Sequence, residues 1–375
     1  MNYKNAWIYT EDFEFKLGGF AVEDGKFCKV LEQPVEDAVD LGGAYVIPGL
    51  IDIHNHGNSG ADFSDGDYDG DVKMAQYLAR QGITSFAPAT MTLPYEVIGR
   101  ALSTGLELKK NRPKNVARLL GVQMEGPFFS EKKKGAQNGD YLRLPDYEAF
   151  KKLFDESEGL IKIVDLAPEL EGSVDFIKKA KNDCTVSIAH TDANYEEAKA
   201  AIETGVTHIT HLYNAMPPIH HREPGVIGAA SENEKVHAEI ICDGIHVHPA
   251  SVRMAFRLFG AERICLISDA LRCCGMPDGE YMLGGQRVWL KDNVARLEDG
   301  TIAGSATNLY ICMKNVIDFG IPKENAVRAA TWNPACAIHK EAEVGSIVNG
   351  KLADFVICDE NLNPKEIYIG GEIVK

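Results

Sequence analysis

Nothing in the 375-residue sequence approaches the uncharged apolar run of about 20 residues that crosses a bilayer. The opening, MNYKNAWIYTEDFEF, lacks an apolar h-region and carries acidic residues, so it does not read as a secretion signal. Positive charge is scarce: 39 Lys and Arg stand against 55 Asp and Glu, a formal net charge of −16. That balance argues against a nucleic-acid or anionic-membrane surface, and any anionic substrate would need its own local basic pocket. Cysteine is present but unpatterned. Nine residues, an odd number, lie inside apolar runs (Cys184, Cys242, Cys265) or side by side (Cys273, Cys274), with neither a disulfide framework nor paired CxxC for zinc. A reducing cytoplasm suits that usage, and a cytoplasmic location is expected. Low-complexity linkers and long repeats are missing as well.

What is there fits a soluble globular chain, long enough for a barrel-sized domain with a smaller companion. Residues 1–47 read as short strands with turn signals at Gly18-Gly19, Asp24-Gly25 and Gly42-Gly43. The last stretch, 343–375, returns to that style, with turns expected at Asn349-Gly350 and Gly370-Gly371. Two β-rich ends around a long middle suggest one small β-sandwich domain assembled from both termini.

Between them, 48–342 alternates apolar strand candidates with helical stretches such as YEEAKAAIETG and HPASVRMAFRLFG. The strand candidates are GLIDIH, ITSFAPA, RLLGVQME, IKIVDLAPE, CTVSIAH, HITHL, AEIICD and RICLISD. Eight βα units in succession predict an α/β fold, a (β/α)8 TIM-like barrel, whose chemistry gathers at the C-terminal strand ends. Those ends carry His54 and His56, Glu125, His190, His211 and Asp269. In a strand, residues i and i+2 share a face, so His54 and His56 should project together. Histidines and carboxylates meeting at one mouth are the donors that zinc and related divalent ions take. Asp269 also suits the N-cap of a following helix. Glu125 closes an apolar strand, where a carboxylate without a partner is costly. Arg222, in HHREPG, offers a planar fork for bidentate contact with a phosphate, and His246 is a second candidate.

PGLIDIHNHG, QMEGPFF…KKGAQN, AHT, THLYNAMPP…REPG, DGIHV and SDA together resemble the amidohydrolase superfamily, in its branch of amino sugar phosphate deacetylases. The resemblance spans essentially the whole chain. It implies hydrolysis of the acetamide of N-acetylglucosamine 6-phosphate, with a metal held by Glu125, His190 and His211 and a second by His54 and His56. One or two divalent ions are expected, zinc foremost, with Fe2+, Mn2+ or Co2+ as alternatives. Asp269 would take a proton from the attacking water and return it to the departing amine. Ala136, Gln137, Asn214, Ala215, Arg222, Asp243, His246, Ile302, Ala303 and Gly304 would hold the small-molecule amino sugar phosphate. A homodimer is implied, with the phosphate pocket near its interface. Where relatives commonly read KKGxHN, this chain has KKGAQN, so Gln137 replaces a histidine. A Gln amide donates a hydrogen bond but never carries a charge. Three other readings stay open: the galacto isomer as substrate, a cyclic amide as in dihydroorotases, and a non-catalytic barrel kept for binding.

Overall fold

The computed structural model describes residues 1–32 and 37–374. Each of the eight expected segments forms a strand. They are Leu50–Asp52, Ile83–Phe86, Val122–Phe128 (with Arg118–Leu119 just ahead of it), Ile161–Leu166, Thr185–Ile188, His208–Ile209, His237–Ile241 and Ile264–Ile267. Neighbours pair in parallel along the sequence order, in one three-stranded and one six-stranded sheet. A parallel bridge, Ala89 to Gln123, joins the two. At the far end, the Asp269 N–H donates to the His54 carbonyl (2.9 Å) and the His56 N–H to that of Ala270 (2.8 Å). The last strand's exit is thereby tied to the first strand's exit.

These strands are buried almost throughout, as parallel strands covered on both faces must be. Helices cover them with one apolar side each. Pro249–Phe259 buries Val252, Ala255, Phe256 and Phe259 at helical spacing, with Pro249 in its first turn. Tyr195–Thr204 begins with a full capping box between Asn194 and Glu197 and buries Ala198, Ala201 and Ile202. Among the described residues, no helix is long and apolar enough to cross a membrane.

Hydrogen bonds join the terminal strands into one seven-stranded sheet, where a two-layered sandwich was expected. The reason is the ten-residue strand Val39–Pro48, which pairs with Asn2–Tyr9 on one side and Phe355–Cys358 on the other. Tyr3, Phe20, Phe27 and Phe355 pack edge-on and stacked across this sheet. Asp24-Gly25 and Gly370-Gly371 turn the chain as expected. Gly18-Gly19 does not; it lies inside Phe15–Glu23, where a Cβ on Gly19 would sit 2.5 Å from the Tyr3 carbonyl oxygen. Gly42 and Gly43 lie within Val39–Pro48 at positive φ, beside a register shift, and so mark a bulge rather than a hairpin.

One element was not foreseen. Gly279–Leu283, Gln286–Lys291 and Val294–Leu297 form a separate antiparallel sheet within the central region. Its Leu283, Val288, Leu290 and Ala295 pack with Met91, Leu271, Cys273 and Ala303 at the mouth that the strand ends surround.

Candidate active site

The first parallel strand stops at Asp52, so His54 and His56 lie just beyond it, yet both rings still point the same way, with centroids 5.4 Å apart. His190, His211 and Asp269 take φ of 44°, 31° and 48°, the left-handed region that non-glycine residues seldom enter. Such strain, on the order of 1–3 kcal/mol per residue, persists where surrounding structure enforces it, and it collects at functional sites. Here it turns three strand exits inward.

The result is a compact donor set around Glu125, which is 2% exposed. Its Oε1 lies 3.2 Å from His190 Nε2 and 3.2 Å from His211 Nε2, and the two ring nitrogens are 3.1 Å apart. On the other side, His56 Nε2 is 3.4 Å from Glu125 Oε2 and His54 Nε2 is 3.6 Å from Oε1. Asp269 Oδ1 closes the ring, 3.4 Å from His56 Nε2 and 3.7 Å from His54 Nε2. Zinc bound at 2.0–2.1 Å by a tetrahedral set spaces its donors about 3.3 Å apart, close to these separations. Burial opposes the charge of Glu125. The His190 and His211 rings against it, and then His54 and His56, outweigh that burial and hold the carboxyl well below its usual range.

Two of the outward nitrogens, those of His190 and His54, support a metal reading. His190 Nδ1 lies 2.9 Å from the Lys133 carbonyl oxygen, which fixes the proton there and leaves the Nε2 lone pair facing Glu125. His54 Nδ1 lies 2.9 Å from Glu239 Oε2, whereas its buried Nε2 has no hydrogen-bond partner. Glu125, His190 and His211 form one group able to hold a cation, and His54, His56 and Glu125 a second.

Above the donors opens a cavity of about 230 Å3. It is lined by Ala136, Gln137, Asn214, Ala215, His246, Ile302, Ala303 and Gly304 together with His56, Glu125, His190, His211 and Asp269. Most expected contacts therefore meet in one place. Gly304 is needed there: a Cβ would lie 2.5 Å from the Asp269 carbonyl oxygen and 2.9 Å from its Oδ1. Gln137 accepts the Thr92 N–H (2.8 Å) through Oε1 and donates through Nε2 to Glu125 Oε2 (2.5 Å). Its amide is thus engaged at both ends.

Two expected contacts are placed elsewhere. Asp243 does not line the cavity; it accepts the backbone N–H groups of Ile245 and His246 and lies 2.7 Å from His246 Nδ1. His246 Nε2 in turn lies 3.0 Å from the Ala303 carbonyl oxygen. Burial opposes a charged His246, but the Asp243 carboxylate outweighs it and raises the ring's pKa. Arg222 is exposed in the tight turn His220–Glu223, with Nη1 2.8 Å from His221 Nε2, and is not part of the cavity wall.

Sequence reasoning missed Met91, Gly135, Leu271, Leu283 and Thr301 in the wall, and the buried acids beneath it. Glu239 and Asp165 were visible only as charges inside the apolar strands AEIICD and IKIVDL. Gln123 and Thr210 donate to Asp165, whose pKa burial and nearby carboxylates raise well above normal.

Comparison with known proteins agrees with this geometry. The amidohydrolase family model matches residues 45–374. An N-acetylglucosamine-6-phosphate deacetylase of Bacillus subtilis is 38% identical, over 96% of this chain and 93% of that protein. An N-acetylgalactosamine-6-phosphate deacetylase of Escherichia coli O157:H7 is 33% identical, over 94% and 93% respectively. The structure of a mutant N-acetyl-D-glucosamine-6-phosphate deacetylase from Mycobacterium smegmatis, in complex with N-acetyl-D-glucosamine-6-phosphate, superposes with a TM-score of 0.92 at 32% identity. It covers 100% of this chain and 99% of that one.

Proposed function

We propose, from the premise that this chain belongs to the amidohydrolase family, that it hydrolyses the acetamide of N-acetylglucosamine 6-phosphate to glucosamine 6-phosphate and acetate. One observation carries the reading: Glu125, His190 and His211 place three donor atoms 3.1–3.2 Å apart beside Asp269, at the floor of a cavity. A divalent ion, zinc foremost, fits those donors, and His54 and His56 offer room for a second. The ion supplies Lewis acidity and brings the pKa of a water towards about 7. Asp269 accepts that water's proton as it attacks the acetamide carbon, then delivers it to the amine nitrogen, which leaves poorly unless protonated. His246, held by Asp243, presents positive charge to the phosphate.

A homodimer is the assembly proposed, in which the exposed fork of Arg222 would meet the phosphate across the subunit contact. Residues 48–342 form the closed (β/α)8 barrel, which the backbone hydrogen bonds between its first and last strand exits support, and 1–47 with 343–375 form the smaller β domain. Nine free cysteines, most of them buried, fit the cytoplasm. The relative acting on the galacto isomer keeps N-acetylgalactosamine 6-phosphate as a second reading. Acetate release from both sugars, with and without the 6-phosphate, tests the assignment. The phosphorylated gluco sugar should be hydrolysed fastest, and loss of the phosphate should remove most of kcat/KM. Equal rates without the phosphate, or no acetate from either sugar, would overturn it.

A further inference from the structure

Beneath the donor set lies a carboxylate with no role in the chemistry above. Glu239, fully buried in the strand His237–Ile241, accepts from three groups. Its Oε2 lies 2.9 Å from His54 Nδ1 and 3.3 Å from the His211 backbone N–H, and its Oε1 lies 2.9 Å from His208 Nε2. An ionised carboxylate can only accept. His54 Nδ1 must therefore carry the ring's proton, and the Nε2 lone pair is left to face Glu125 and Asp269. That Nε2 is fully buried and has no hydrogen-bond partner, which is costly for an acceptor unless a cation takes it. His190, by contrast, is oriented by the Lys133 carbonyl and owes nothing to Glu239.

We infer that Glu239 is the positioning residue for a second divalent ion, held by His54 and His56 with Glu125. The inference rests on the metal reading above and adds the residue that orients the second site's ligand. Loss of an outer partner of this kind lowers metal affinity roughly 10–100-fold. The effect should fall mainly on this site, because Glu239 holds the ring of His54 but touches the other donor set only through the His211 backbone N–H.

The test is zinc content per chain after exhaustive dialysis, with titration of the returning ion, on the parent and on Glu239→Gln. The parent should hold two ions. Glu239→Gln should keep one tightly and bind the other 10–100-fold more weakly. A parent with one ion, a variant with both at parental affinity, or a variant weakened equally at both sites would overturn the inference. If Glu239→Gln fails to fold, long-range nitrogen–proton NMR of 15N-histidine in the zinc-loaded parent decides, with His54→Gln supplying the assignment. His54 protonated at Nδ1 alone supports the assignment, and any other protonation state refutes it. A one-ion parent that still releases acetate would sink this inference and leave the deacetylase reading intact, whereas a metal-free parent would sink both.

Discussion

Replacing Asp269 with asparagine separates proton transfer from everything else this site does. The residue is 8% exposed and its main chain is locked: its N–H donates to the His54 carbonyl, and its carbonyl accepts the Ser305 N–H at 2.6 Å. Asparagine therefore occupies the same space, within reach of His56 and His54, but it can neither take a proton nor return one. General acid–base assistance is worth about 10²–10⁴-fold, and at about 1.36 kcal/mol per tenfold this adds roughly 2.7–5.4 kcal/mol to the barrier. The upper end is expected here, since one carboxylate serves both proton transfers. The pH profile gives the sign. Burial alone would raise the Asp269 pKa, but the His56 hydrogen bond and the neighbouring His54 and His56 rings hold it below its usual value. The base form is thus complete through mild acid, and activity that depends on it fades only as pH falls through that lowered value. The assay is kcat and KM from acetate release, with metal content measured on the same samples. A kcat within about threefold of the parent, at equal metal content, would refute the assigned role.

Three further outcomes are expected. Gly304→Ala pushes a Cβ against Asp269, so kcat should fall at least tenfold with metal content preserved; parental kcat would show that the segment yields. Gln137→His puts a titratable ring against Glu125 and Thr92, and the kcat/KM profile should gain a limb near pH 6–7 that the parent lacks. Superimposable profiles would deny Gln137 any influence on the chemistry. Asp71 lies buried with neither oxygen hydrogen-bonded, and burial pushes its pKa up to about 8. For an acid raised on folding, stability is complete below the unfolded value of 3.8 and is lost as pH rises towards 8. Asp71→Asn should therefore raise the thermal midpoint more at pH 8 than at pH 4, and a pH-independent change would contradict this.

The strand exits were legible because a parallel strand buried on both faces is an apolar run, and a polar side chain at its end stands out. His190, His211 and Asp269 were found that way. Their backbone strain was not, because nothing local in AHT or THL asks for a left-handed residue; tertiary pairing imposes it. Arg222 illustrates the opposite limit. Its residue type announced phosphate chemistry, but a turn of four residues carries no long-range signal of which surface it meets. Gly18-Gly19 was misread as a turn because close backbone approach and reversal both favour glycine. The sheet 279–297 had hairpin signals at Gly284-Gly285 and Asp292-Asn293, overshadowed by the βα rhythm around it. Glu239 needed only one question asked of AEIICD: what answers a carboxylate inside a hydrophobic strand?

The strand Val39–Pro48 has one neighbour, Asn2–Tyr9, encoded near the start of the chain and another, Phe355–Cys358, encoded roughly 300 residues later. At ribosomal speeds of about 5–20 residues per second, its open edge waits roughly 15–60 s for that partner. Throughout this interval an unpaired ladder of amides is available to other nascent chains. A message truncated anywhere in the catalytic region would leave the edge exposed permanently, so incomplete copies should be conspicuous to chaperones and proteases while finished ones are not.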